Sequence, residues 1–196
     1  MDDRYERLKE YPMSQEVAFH DPLTGAFTSS PFLIIAQQTL ALARRFGMDL
    51  SIIVIDIDGF EAVNERLGRE TGDQMLRDLG QFFREFLRDA DLFCRCVDND
   101  FIILLPGADL EGASQVAEGL RGHAYSELLV ENLRSLSPTF SIGIAEMNYN
   151  LDKKIESLVE RAMEALRRAK EQGKDKVCVC LPQEGDSVDS PGEGRP

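Results

Sequence analysis

Metal-assisted phosphoryl transfer needs hard oxygen ligands that converge from separate parts of a chain, because they hold the Mg²⁺ ion that clamps a triphosphate. Two acidic groups in this sequence have that character. The apolar run Leu50-Ser-Ile-Ile-Val-Ile55 ends in Asp56-Ile-Asp58, and Asp98 and Asp100 sit in a polar bend between two further apolar runs. Asp-x-Asp alone is also the composition of a solvated strand end, so it gains meaning only from elements that bring it to the bend. Four cysteines form two Cys-x-Cys pairs, Cys94/Cys96 and Cys178/Cys180. Residues i and i+2 share a strand face, so each pair presents two thiols together. Zinc sites normally space paired cysteines by two or more residues, and reduced, partly buried thiols are the expectation.

The elements that must position these groups belong to one domain, since 196 residues with 43% apolar content suffice for one sizeable core and not for two. Phe32, Ile35, Leu40 and Ala43 predict a first helix that ends near Gly47. Leu50–Asp56 reads as a buried strand, and Met75, Leu79, Phe82, Phe83, Phe86 and Leu87 predict an amphipathic helix from about Gly72 to Arg88. Strands around Leu92–Cys96 and Phe101–Leu105 flank Val97-Asp98-Asn99-Asp100, the pattern of a hairpin. A helix through Leu110, Ala113, Val116, Ala117 and Leu120 follows, then a strand around Thr139–Ala145. A long helix from Ile155 through Ala169 and a last strand, Lys176–Cys180, complete the series. From residue 50 the order contains β-α-β-β-α-β, an α+β ferredoxin-like arrangement with helices on one sheet face.

Residues 1–19 read as a charged lead-in helix or linker, 20–181 as the domain, and 182–196 as an acidic tail with the Gly/Pro content of disorder. A net charge of −13 excludes broad contact with nucleic acid or an anionic membrane, so an anionic ligand must be held by local cations. The N-terminus lacks the apolar core of a signal peptide, and no run approaches the roughly 20 apolar residues of a membrane span. A soluble cytoplasmic protein without membrane insertion is the expectation.

Several ordered motifs make the chain resemble the GGDEF family of diguanylate cyclases across nearly all of residues 21–180. They are Asp21-Pro-Leu-Thr-Gly25, Asp56-Ile-Asp58-Gly-Phe60-Glu-Ala-Val-Asn64, Gly72-Asp73, Arg88-Asp-Ala-Asp91, Ser141-Ile-Gly-Ile-Ala145, and Ala165-Leu166 with Ala169-Lys170 and Gly173. The resemblance implies a ferredoxin-like core of the nucleotidyl-cyclase and polymerase-palm type, elaborated with extra helices and strands. It also implies bacterial second-messenger signalling. By the same resemblance Asp56 and the carbonyl of Ile57 would ligate Mg²⁺, Asn64 and Asp73 would hydrogen-bond the guanine of GTP, and Lys170 would reach the triphosphate. Lys174 stands where the family often has arginine, which keeps the charge and loses the bidentate fork. Surface polarity for Asn64 and a helix N-cap for Asp73 are the ordinary readings of those two residues outside this context.

Arg88-Asp-Ala-Asp91 resembles the family's RxxD inhibitory site, which in relatives binds cyclic di-GMP. A guanidinium fork matches phosphate oxygens and the guanine acceptor edge, and a carboxylate accepts from guanine N–H groups. Outside the family context the same four residues are an ordinary solvated pair at a helix end. Gly119 lies where tight-binding relatives often supply another arginine, and Arg121 is the nearby substitute.

The chain departs from the family at the signature itself, where Val97-Asp98-Asn99-Asp100-Phe101 stands in place of Gly-Gly-Asp/Glu-Glu-Phe. Val97 and Asp98 would obstruct the close ligand approach that glycine permits, and Asp98 would add negative charge beside the expected phosphates. Asn99 replaces the third-position carboxylate, and a neutral amide neither balances Mg²⁺ as well nor accepts a proton. Ala26-Phe-Thr-Ser-Ser30 also lacks the Asn-Arg usual after the family's LTG turn. The expected function is therefore a catalytically impaired receptor for cyclic di-GMP with at most a weak Mg²⁺ site, acting on a protein partner. Two alternatives stay open. One is an active cyclase that joins two GTP in a homodimer, with Asp98 or Asp100 replacing the lost carboxylate; the other is an interaction module that binds no nucleotide.

Overall fold

The computed structural model describes residues 19–96, 100–127 and 138–181. The lead-in helix or linker expected before residue 19, the acidic tail from 182, and three members of the altered signature, Val97, Asp98 and Asn99, lie outside the described residues. Helix α1 (Ser29–Phe46) precedes strand β1 (Leu50–Asp58), which is followed by helices α2 (Phe60–Leu67) and α3 (Arg69–Phe86). Strands β2 (Leu92–Arg95) and β3 (Phe101–Pro106) lead to helix α4 (Leu110–Glu127), strand β4 (Thr139–Glu146), helix α5 (Ile155–Glu171) and strand β5 (Lys176–Cys180).

The five strands form one sheet in the order β2-β3-β1-β4-β5. The first four strand positions are the ferredoxin-like order, with β1 antiparallel to both β3 and β4. Strand β5 adds a parallel edge to β4, and α5 supplies the crossover that a parallel pair requires.

Helices cover both faces of the sheet, not one. Ile53, Ile55 and Ile57 pack with Val63 of α2, Met75, Leu79 and Phe83 of α3, and Ala113, Ala117 and Leu120 of α4. Leu50, Ile52 and Val54 point the other way, into a second cluster with Phe32, Ala36 and Leu40 of α1 and Leu158, Ala162 and Leu166 of α5. A strand buried on both sides reads as an unbroken apolar run, so its sequence carries no alternation from which a second layer is legible. The helix expected from Gly72 to Arg88 starts earlier and ends earlier, at Arg69 and Phe86, and the separate helix α2, which carries Asn64, precedes it. Gly68, at φ 87°, separates the two helices.

Close backbone contact decides how α5 sits on the sheet. A Cβ at Gly143 in the centre of β4 would lie 2.1 Å from the Ala162 carbonyl oxygen and 2.2 Å from the Leu166 nitrogen. Neither atom can move without displacing the helix. Gly143→Ala is therefore expected to lower the unfolding free energy by about 3 kcal/mol, read as a lower urea midpoint at unchanged slope. A midpoint within error of wild type would show that α5 can lift off β4 freely.

The opening turn closes the exposed edge of β2. Asp21 Oδ2 accepts from the Thr24 N–H at 2.9 Å, the Thr24 hydroxyl at 2.6 Å and Arg95 Nη1 at 3.1 Å. Burial raises the Asp21 pKa, but these donors and the Arg95 charge outweigh it, leaving the carboxyl below the ordinary aspartate value. Phe27 then pairs beside β2, its N–H donating to Phe93 O and its carbonyl accepting from the Arg95 N–H, both at 3.0 Å. Short pairing of this kind removes a free edge next to the hairpin.

Candidate functional site

Strand β1 delivers its acids to one end of the sheet, beside the base of the hairpin. Ile55 pairs with Phe101, so Asp56 and the buried Asp100 follow side by side on neighbouring strands. The side chain of Asp56 is 21% exposed and meets Lys170 Nζ at 2.5 Å, an ion pair that brings the last turn of α5 onto the strand end. A lysine ammonium is a compact charge on a flexible stem, able to exchange a carboxylate for a phosphate oxygen. The oxygens that could hold a metal at this corner are the Asp56 carboxylate and the Ile57 carbonyl, with Asp100 beside Asp56 on the neighbouring strand. Such hard oxygens fit Mg²⁺, which usually takes one or two carboxylates and completes its shell with water and substrate phosphates.

Asp58 does something different from Asp56. The residue is 8% exposed, and its carboxylate accepts from the Thr139 hydroxyl at 2.8 Å, the Ser141 hydroxyl at 2.9 Å and the Asp175 N–H at 3.2 Å. The Asp-x-Asp pair thus divides into one residue facing the corner and one tied into the sheet. No sequence periodicity announces those three donors, which lie more than 80 residues away.

Asn64 and Asp73 come together at the corner between α2 and α3. A Cβ at Gly72 would lie 2.0 Å from Asn64 Oδ1, so the glycine makes room for the amide. Asp73 is the next residue, exposed and inside α3, which rules out the N-cap alternative. An amide and a carboxylate on one rim suit the donor and acceptor edge of guanine. Lys174 lies four residues beyond Lys170 in the turn leaving α5, at φ 62°.

Arg88 and Asp91 form a cross-bonded turn between α3 and β2. The Arg88 N–H donates to Asp91 Oδ2 at 2.9 Å, and the Asp91 N–H donates to Arg88 O at 2.9 Å. Burial raises the Asp91 pKa above the ordinary aspartate value, against the opposing pull of the Arg88 N–H and charge. The guanidinium makes no hydrogen bond or ion pair among the described residues and is exposed. Because Leu92 pairs with Leu104 while Arg95 pairs with Phe101, this turn sits at the end of β2 opposite the hairpin tip. It is separate from the Asp56 corner. Arg121 is bound by Glu118 at 2.9 Å and Asp175 at 2.8 Å.

Cys94 and Cys96 bring their sulfurs to 3.9 Å, with Cys94 fully buried and its thiol pKa pushed well up, first by burial and then by Cys96. Among the described residues, no cluster of three or more His, Cys, Asp or Glu side chains is arranged to hold a metal ion. No helix of the described residues is long and apolar enough to cross a membrane.

The profile of the family described as "Diguanylate cyclase, GGDEF domain" matches residues 18–176. The chain belongs to the GGDEF family. This GGDEF domain is 34% identical over 165 residues to the diguanylate cyclase DgcP of Pseudomonas aeruginosa, a match that covers 84% of the chain and 24% of DgcP. It therefore spans about a quarter of that relative's length. Its fold superposes on the GGDEF domain of DgcB from Caulobacter crescentus, solved in complex with c-di-GMP, with a TM-score of 0.77 and 25% identity, covering 88% of this chain and 98% of that one. It also resembles the diguanylate cyclase SiaD of Pseudomonas aeruginosa, solved with its activator SiaC, at TM-score 0.71 and 28% identity, covering 84% and 62%. The α+β palm-like fold is thereby the family's own.

Proposed function

We propose that this GGDEF domain is a catalytically impaired receptor for cyclic di-GMP, which binds the ligand through Arg88 and Asp91 and passes its occupancy to a protein partner. The observation that carries the reading is the cross-bonded Arg88–Asp91 turn, which presents an exposed guanidinium beside a carboxylate held by the Arg88 N–H. Such a turn loses little freedom on binding a guanine and its phosphate, which favours affinity. The DgcB structure, solved with c-di-GMP, supports the ligand class, and the SiaD–SiaC complex supports a protein partner. Calorimetry with cyclic di-GMP and GTP on one preparation tests it; a protein that binds neither is an interaction module instead.

Residual cyclase activity is the second reading, favoured by the Asp56–Lys170 corner and the Asn64–Asp73 rim. Mg²⁺ bound there would neutralise triphosphate charge, and a homodimer would bring two such half-sites together. Under either reading GTP binding is expected to be weak and guanine-dependent. Asn64→Ala and Asp73→Ala should each reduce GTP affinity by about 0.5–1.5 kcal/mol per lost hydrogen bond, with ATP binding more weakly than GTP in the wild type. Equal affinity for ATP and GTP in a competition titration would mean that the guanine contacts are not made.

A further inference from the structure

The chain leaves α5 through an unusual backbone. Gly173, Lys174 and Asp175 follow one another at φ 106°, 62° and 44°, and the last two are the non-glycine residues with positive φ among the described residues. Side chains disfavour that region because Cβ crowds the backbone, so the turn persists only where its surroundings hold it. Three contacts do so. The Lys174 N–H donates to Ala169 O at 3.0 Å, the Asp175 N–H donates to Asp58 Oδ2 at 3.2 Å, and Arg121 Nη1 of α4 meets Asp175 Oδ1 at 2.8 Å. Asp58 in turn is fixed by the Thr139 and Ser141 hydroxyls on β4.

We infer that Asp58 and Arg121 are positioning residues that hold the Lys174 turn against the strand end carrying Asp56, so that Lys170 and Lys174 together meet the phosphates of a nucleoside triphosphate. The inference rests on the reading that the Asp56–Lys170 corner receives those phosphates. Asp58 lies two residues from Asp56 on the same strand face, so the turn it anchors is locked to the corner itself. Its charge is already shared among two hydroxyls and an N–H, which together use most of the acceptor capacity of one carboxylate. That saturation assigns Asp58 to the turn and not to a metal ion. Arg121 acts from the other side, pulling Asp175 toward α4 through a partly exposed ion pair.

The test is calorimetry on the full chain with GTP and with guanosine, each with and without Mg²⁺, together with amide hydrogen exchange at Asp175 followed by NMR. Lys174→Ala and Asp58→Asn should each weaken GTP binding by about ten-fold while changing guanosine binding by less than about two-fold, with or without Mg²⁺. Arg121→Gln should weaken GTP binding by about three-fold, because its ion pair is partly solvated. The Asp175 amide should exchange faster in Asp58→Asn. Should that variant fail to fold, the surface variant Arg121→Gln decides the matter by the same readings. Unchanged GTP affinity and unchanged Asp175 exchange in these variants, with wild-type binding intact, would overturn the inference and leave the corner's role standing. A loss confined to Mg²⁺-containing buffer would make Asp58 a metal ligand, and a parallel loss of guanosine binding would make it a general stabiliser; either result overturns the inference. If wild-type protein binds GTP no better than guanosine, the corner does not take phosphates, and both readings fall.

Discussion

Cyclic di-GMP titrated into the wild-type protein is expected to bind, and Arg88→Ala to weaken that binding by about ten-fold to over a hundred-fold. This is the effect of losing a charge-assisted contact of roughly 1.5–3 kcal/mol. The chain carries a net charge of −13, so attraction for an anionic ligand has to be local, and affinity depends strongly on the single guanidinium. Asp91→Ala should also weaken binding, for two reasons: it removes the acceptor for guanine N–H groups, and it releases the Arg88 N–H that Asp91 Oδ2 holds at 2.9 Å. Arg167→Ala on the exposed face of α5 removes the same charge from a distant surface and should bind as wild type does. Acidification adds an independent check. Burial places the Asp91 pKa above the ordinary aspartate value, so the carboxylate acceptor is lost at a higher pH than an unburied aspartate would give. Binding should fall off accordingly as pH is lowered. No binding in wild type, or the same affinity in Arg88→Ala and Asp91→Ala, would reject the receptor reading at this site.

With GTP and Mg²⁺ the purified protein is expected to release no cyclic di-GMP above a no-protein control. Loss of a positioned proton acceptor alone typically costs roughly 10²–10⁴-fold in rate, and Asn99 also stands where the family resemblance implies a metal carboxylate. Rescue by sliding Asp100 into the missing place meets an obstacle in the hairpin base. Arg95 pairs with Phe101, the Cys96 N–H donates to Asp100 O at 2.8 Å, and Asp21 holds Arg95. A one-residue slip would break those bonds and turn each side chain of the strand to the opposite face. Chromatography of the reaction mixture decides the outcome; clear turnover that Asp56→Ala abolishes would show that the altered hairpin is competent. Restoring residues 97–100 to Gly-Gly-Asp-Glu should fall short of full activity, because the Ala26–Ser30 segment also departs from the family pattern. Full turnover in that variant would identify the hairpin as the sole defect.

The sequence by itself determined the order of the elements, because amphipathic helices such as α3 and α5 and the β-branched run of β1 are local patterns with their own periods. It also determined the family, since ordered motifs from Asp21 to Gly173 are read along the chain. Asn64 and Asp73 stood out only through the family resemblance, and the structure sets them at the corner between α2 and α3. Only the tertiary structure decided that helices cover both sheet faces, because Ile52 and Ile53 look alike in sequence while pointing to opposite cores. It alone separated Asp56 from Asp58. Two identical side chains two residues apart were assigned to a solvent-facing corner and to a buried anchor by partners at Lys170 and at Thr139, Ser141 and Asp175. Those partners lie 81 to 117 residues from Asp58, so the contacts exist only once the strands have paired and α5 has folded back over them. A carboxylate's role follows from the donors around it, and long-range packing supplies those donors.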